Sequence, residues 1–230
     1  MSKFYGADWL CLSLFRLTNP IFLFIVPGIM WLHHPIHLSG TRVRLEPLNE
    51  SHIPDLVALG SDPTIWTHLP FDGSNAAKLT RELGIALVNR VQGSQYPFAI
   101  LEQESNRIIG STRLFDIFPE HKKLEIGWTW YAKDAWGKGF NTECKLLLLR
   151  YCFETLQANR VQLKTRKTNL RSQAAILKIG ASYEGLLRND RVMPDGSIRD
   201  TMVYSIILEE WPKVESLLYA LLDQLPAKPI

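Results

Sequence analysis

The sequence predicts an α+β domain built on a mixed, mostly antiparallel sheet with one central βαβ unit. Three observations lead there. Hydrophobic residues make up 46% of the 230 positions and charged residues 21%, a balance that supports a packed core and excludes disorder or a polytopic membrane protein. Three β-type runs follow one another across short polar connections, the signature of antiparallel hairpins. A glycine-rich junction then leads into a strongly apolar helix and another strand, which is the pattern of a crossover unit.

Charge and cysteine usage narrow the class. Against 26 Lys and Arg stand 23 Asp and Glu, a formal charge of +3, and the basic residues form no block, so there is no footprint for a nucleic acid. Cys11, Cys144 and Cys152 are an odd set without CxxC spacing, which suggests neither a disulfide framework nor a zinc site and points to a reducing, cytoplasmic location. Cys144 and Cys152, eight apart in an apolar run, read as packing residues.

Taken in order, residues 1–35 are a hydrophobic extension of different composition. The stretch 9–32 is apolar but broken by Arg16, Asn19, Pro20, Pro27 and Gly28, and its cleanest part is too short for a span of about 20 residues. It reads as a segment packed on the body or a start site placed upstream of Met30, with a membrane anchor as the minor reading. His33, His34 and His37 lack a fourth ligand nearby and read as linker, with no metal expected.

A regular pattern begins near Ile36. Residues 41–48 alternate as a strand. Asn49, Glu50 and Ser51 offer caps before Ile53, Leu56, Val57 and Leu59 repeat at helical spacing. Trp66 and Leu69 suggest a short second helix, and 76–92 an amphipathic one. Strands are expected at 96–101, 107–115 and 124–131, a buried helix at 143–156, a strand at 160–165, and a helix at 170–179 capped by Gly180. Two final strands at 183–192 and 197–208 turn at Pro194, Asp195 and Gly196. The domain would cover 36–210, with a helical tail over 211–230.

The junction Trp136-Gly137-Lys138-Gly139-Phe140-Asn141-Thr142 is where chemistry first shows. Glycines let a ligand approach the backbone, and a helix N-terminus carries about half a positive charge, so the turn suits a phosphate. A dinucleotide fingerprint would need glycine where Thr142 stands, and a P-loop would need Ser or Thr where Gly139 stands. Some other phosphate ligand remains.

The runs Leu124-Glu125-Ile126-Gly127-Trp128, Trp136 to Glu143, Thr168-Asn169-Leu170-Arg171-Ser172, Lys178-Ile179-Gly180-Ala181 and Tyr183-Glu184-Gly185 together resemble the GNAT N-acetyltransferases. They are most similar to the RimJ/RimL-like branch of ribosomal-protein N-terminal acetyltransferases. The resemblance covers about 36–208. It implies a GNAT acyl-CoA N-acyltransferase fold and an enzyme that moves an acetyl group from acetyl-CoA to a primary amine, on a protein N-terminus or a small molecule, as a monomer or homodimer. It also implies that the amides of Gly137, Lys138, Gly139, Phe140, Asn141 and Thr142, beside Trp136, hold the pyrophosphate. The strand ending at Trp130 and Tyr131 would pair with the pantetheine arm, Asn169 would touch it, and Ser172 would sit near the thioester sulfur. Asp134 departs from the Gln or Arg the family often has there. A catalytically inert CoA-binding or protein-interaction module of the same fold is the alternative.

The residues support the same chemistry directly. An amine attacking a thioester must be neutral, and the departing thiolate needs a proton. Glu125 alternates with Leu124 and Ile126, so it faces away from the apolar side of its strand, beside Gly127. It is the candidate base, directly or through water, against the plainer reading of an exposed or salt-bridged strand residue. Ser172 is the candidate acid, or else a helix cap. Tyr204 is the alternative acid, or else a core aromatic. Trp128 and Trp130 share the apolar parity of their strand and read as core. No cysteine is placed to act as a nucleophile.

Overall fold

The computed structural model describes residues 31–69, 71–193 and 195–225. Apart from Trp31 and Leu32, the apolar segment of the N-terminal extension lies outside them. The described residues form one eight-stranded sheet in the order β1-β2-β3-β4-β5-β6-β8-β7. The strands are β1 (Leu38–Ser39), β2 (Val43–Pro47), β3 (Gln95–Glu102), β4 (Ile108–Phe118), β5 (Lys123–Tyr131), β6 (Arg160–Arg166), β7 (Ser182–Val192) and β8 (Ile198–Ile207). Only β5 and β6 are parallel. Between them runs α3 (Phe140–Arg150), the crossover expected from the sequence.

Helices divide the sheet into two faces. On one, α3, α4 (Leu170–Lys178) and α5 (Trp211–Asp223) cover Leu45, Phe98, Leu114, Leu124, Ile126, Val161 and Leu163. On the other, α1 (Ile53–Leu59) and α2 (Ala76–Val91) cover Leu48, Ala99, Leu101 and Ile108. Helices α1 and α2 pack against β3 and β4, so the second face of β6, β7 and β8 lies beyond them. That face carries Gln162, Lys164 and Arg166 on β6, opposed in register by Ser205, Val203 and Thr201 on β8.

Three local expectations change. The short helix near Trp66 is a 3₁₀ turn at Pro63–Ile65, begun by Asp62, whose carboxylate accepts from the Thr64 amide at 2.9 Å. The buried helix begins at Phe140, earlier than its apolar band, and ends in a π-helical turn at Tyr151–Thr155. Cys144 and Cys152 are fully buried along it. Strand β1 is too short to leave an alternation pattern. Helix α5 buries Trp211, Val214 and Leu218.

One buried acid ties α3 to β2. The Glu143 carboxylate is 4% exposed and accepts from the amides of Thr41, Arg42 and Val43 at 2.9, 2.7 and 2.7 Å and from the Thr41 hydroxyl at 2.8 Å. Gly40 has no Cβ because one would lie 2.6 Å from that carboxyl carbon. A charged acceptor on three consecutive amides fixes where β2 starts relative to the crossover helix. Glu143→Ala should therefore cost about 3 kcal/mol or more, since each buried donor left without an acceptor costs about 1 to 3 kcal/mol. Glu143→Gln should cost less, and urea unfolding of the three proteins gives the comparison.

Candidate active site

The site starts from a break in the sheet. Strands β5 and β6 pair only at Lys123–Arg160, Leu124–Val161 and Glu125–Gln162, then diverge, so β5 from Ile126 to Tyr131 has no strand on that side. A cleft of about 480 Å³ opens in the gap, lined by both strands, the β5–α3 turn and the start of α4.

A bulge shapes the β5 wall. Gly127 opposes Arg113 and Trp130 opposes Ser111, so Trp128 and Thr129 together face the single residue Thr112. Trp128 takes the extra turn with φ 52°. Its indole lies 4.6 Å from the guanidinium of Arg113, a buried cation paired with Glu82 at 3.0 Å. The bulge corrects the parity reading: Ile126 packs in the α3 core, whereas Trp130 packs in the α1/α2 core against Trp66. Trp128 is half-buried and lines the cleft. An inserted residue reverses which face later residues point to, and alternation alone gives no warning of it.

At one end of the cleft stands the glycine turn. Gly137 and Gly139 have φ of 76° and 80°, and Gly139 is the N-cap of α3. The amides of residues 137 to 141 donate to no group among the described residues. Five consecutive unpaired donors at a helix start are a built cradle for an anion. Gly137, Gly139, Phe140, Asn141, Thr142 and Trp136 all line the cleft, while the Lys138 side chain is exposed and does not. Asp134 points elsewhere, to Arg107 at 2.8 Å. Arg171, missed in the sequence, stacks 4.0 Å from the Trp136 ring and links α4 to the turn.

The start of α4 forms the facing wall. Asn169 is the N-cap, its side chain accepting from the Ser172 amide at 3.0 Å. Both residues line the cleft, and the half-buried Ser172 hydroxyl makes no hydrogen bond among the described residues.

Glu125 sits where the strands part. It is 3% exposed, 2.9 Å from the Lys164 ammonium, and accepts from the Gln162 amide at 3.1 Å. Burial pushes its carboxyl above the usual range, and Lys164 opposes that rise. The sequence showed which way Glu125 faces, but not its partner on the neighbouring strand.

Tyr204, the alternative acid, is not brought to the cleft. It lies opposite Leu163, whose side chain faces the α3 core, and is packed there at 2% exposure against Tyr183. Lys145 was missed by the sequence reading. It is buried on α3, lines the cleft and donates to the Thr129 hydroxyl at 2.9 Å. The signal was a lysine inside an otherwise apolar band. His68, on the α1–α2 connection, also lines the cleft, and burial and nearby Arg171 and Arg166 lower its pKa. Among the described residues no three His, Cys, Asp or Glu side chains are grouped to hold a metal, and no helix is long and apolar enough to cross a membrane.

A split parallel pair with an amide cradle at the next helix start is a site built for an extended ligand that carries an anion at one end. The profile of the acetyltransferase (GNAT) domain matches residues 42–182, and the chain belongs to that family. The family and its N-acetyltransferase relatives make it an acetyltransferase, of a family that uses acetyl-CoA. Among relatives, it is 28% identical over 176 residues to "Uncharacterized N-acetyltransferase p20" of Bacillus licheniformis, covering 76% of this chain and 97% of that one. It is 35% identical over 104 residues to "Putative ribosomal N-acetyltransferase YdaF" of Bacillus subtilis, covering 45% and 56%. A solved structure of a "putative acetyltransferase" from T. thermophilus superposes with TM-score 0.74 at 39% identity, covering 83% of this chain and 99% of that one. At 21% identity, "Mycobacterium smegmatis RimJ in complex with CoA-disulfide" superposes with TM-score 0.71, covering 82% of this chain and 95% of that one, a likeness of fold.

The cradle is tested at Gly137, where an added Cβ would meet nothing within 4 Å; at Gly139 it would strike Leu225 at 2.2 Å. Gly137→Asp should lower fold stability by only about 1 to 2 kcal/mol, the cost of a left-handed side-chain residue. Acetyl-CoA binding by calorimetry should weaken well over tenfold, because a carboxylate then occupies the phosphate's approach.

Proposed function

We propose that this chain transfers the acetyl group of acetyl-CoA to a primary amine by direct attack, and that the acceptor is a peptide α-amine. The observation that carries the reading is the continuity of one cleft, from the unpaired amides at 137 to 141, along the open edge of β5, to buried Glu125. A pyrophosphate at the turn would leave the amide-bearing pantetheine arm beside Trp130 and Tyr131, with Asn169 across the gap. The thioester would then lie near Ser172 and Glu125. The likeness to YdaF favours a peptide α-amine over a small amine.

In this reading the amine nitrogen bonds to the thioester carbonyl carbon, the C–S bond breaks, and CoA leaves as the thiol. Glu125 takes the amine's proton, directly or through one water, and Lys164 keeps the carboxylate ionised in its buried setting. The Ser172 hydroxyl gives a proton to sulfur and regains one from water, to which Glu125 releases the proton it took. The bulge at Trp128 and Thr129 frees backbone from the ladder beside the carbonyl, where a donor would stabilise developing negative charge.

Glu125→Gln keeps the size of the side chain and cannot accept the proton. Turnover should fall roughly 10²- to 10⁴-fold, the usual contribution of a general base, with acetyl-CoA affinity nearly unchanged. Full activity in that variant would remove Glu125 from the role. Ser172→Ala should lower turnover less, since water can replace a hydroxyl near sulfur, and the two losses should not add.

The pH profile carries an independent prediction. The base works as carboxylate, so besides the rise from the acceptor amine's own deprotonation at about pH 8, kcat/KM should show an acid limb from the Glu125 ionisation, above the usual range because burial disfavours the charge. Lys164 lowers that pKa and Asp116 adds to the rise. Lys164→Gln should therefore move the acid limb to higher pH; a limb that stays in place would show that another group sets it.

A further inference from the structure

The polar face of β6 and β8 holds more positive charge than transfer to a neutral amine requires. Lys164 is matched by Glu125, and Arg160 by Glu184. Arg191 lies 3.6 Å from Asp190. Arg166 and Arg199 have no acidic partner within ion-pair distance among the described residues, and both line the cleft.

Arg199 is the unusual one. It is only 8% exposed, and its Nε is buried without a hydrogen-bond partner. The Thr201 hydroxyl, on the same side of β8 two residues on, is equally buried and unpartnered at 1% exposure. Thr201 lies opposite Arg166 in the β6–β8 register. Burial and the neighbouring Arg191 and Arg166 work against the Arg199 charge, and the influence of Asp190 and Glu125 offsets only part of that. A buried guanidinium beside two other cations, with an idle hydroxyl next to it, is costly until an anion occupies the space between them. Its planar fork suits a carboxylate.

Position then limits which carboxylate. Lys164, the partner of Glu125, is opposite Val203, and Arg199 is four residues further along β8, about 13 Å at the usual rise of a strand. An extended peptide advances about 3.3 to 3.6 Å per residue, and the arginine side chain closes part of the gap. An offset of that size, shortened by the arginine side chain, suits a carboxylate one or two residues beyond the amine better than the one adjacent to it.

We propose that Arg199, with Thr201 and Arg166, is an acceptor-recognition site for a carboxylate, and that the acceptor is a peptide with an acidic residue at its second or third position. This rests on the acetyl-transfer reading above. The test uses full-length protein and peptide pairs that differ only in Asp against Asn at those positions. Thiol release from acetyl-CoA gives kcat/KM, and calorimetry on the CoA-loaded protein gives peptide binding without turnover. For at least one position, Asp should be favoured about tenfold or more in both measurements, the effect of one hydrogen bond between charged groups. Arg199→Gln should reduce that preference to near parity and leave CoA affinity unchanged. Thr201→Val, nearly the same shape, should reduce it less, and serves as the second variant if Arg199→Gln does not fold. Equal binding and turnover of the pairs by the wild type would overturn the proposal, as would a preference that survives in Arg199→Gln. Weakened CoA binding in Arg199→Gln with no change in peptide preference would also overturn it, by giving the guanidinium to a cofactor phosphate. A carboxylate preference in binding with no turnover of any peptide would keep this site and discard the transfer reading.

Discussion

Everything functional in this molecule follows from two parallel strands that stay paired for only three residues. Had β5 and β6 remained zipped beyond Glu125 and Gln162, the sheet would be continuous and there would be no cleft. Once they part, backbone groups on both inner edges lose their ladder partners. Such groups are tolerated where water or a ligand amide can replace the missing strand. In the proposed function, the split is what gives an amide-bearing arm its place.

Holding the split open takes anchoring on both sides. On the β5 side, Arg113 is buried between Glu82, Gln95 and the Trp128 ring, so the bulge is fixed by a paired charge inside the sheet. Beyond the turn, Glu143 binds α3 to the start of β2 through three backbone amides. That fixes the helix whose first turn carries the amide cradle. Removing either partner of such a buried arrangement leaves a charge or several donors uncompensated, which gives these polar contacts more influence than their number suggests. The Arg171 stack on Trp136 then links the two walls of the cleft near the glycine turn.

The two sheet faces divide the labour. The face under α3, α4 and α5 is apolar and supplies the core, including Tyr204. The opposite face of β6 and β8 is polar, and there Glu125, Lys164, Arg166 and Arg199 meet in one cleft. Proton acceptance and acceptor recognition can sit side by side on it because alternate residues of a strand share a face. Glu125, Lys164 and Arg199 come from three strands that are neighbours only in the assembled sheet.

Much of this was legible in the chain. Hydrophobic periodicity placed the strands and long helices within a few residues, and the Gly137 and Gly139 turn announced an anion site because few other residues adopt its left-handed backbone. The facing of Glu125 could be read from its apolar neighbours. What could not be read were events that depend on pairing. The bulge at Trp128 and Thr129 sends Trp130 to the opposite core, and no alternation pattern marks an inserted residue. Tyr204 looked available for chemistry until its register with Leu163 put it in the interior. Nothing in the sequence marks Lys164, Thr201 and Arg199, since their meaning comes from partners distant in the chain, Lys164 beside Glu125 and Thr201 opposite Arg166. The sequence by itself determined the elements, the family pattern and the glycine turn, because these rest on local backbone preference and periodicity. Which charges face one another, and which remain without a partner, was decided only by tertiary structure, because strand register and the point where β5 leaves β6 are properties of the whole sheet.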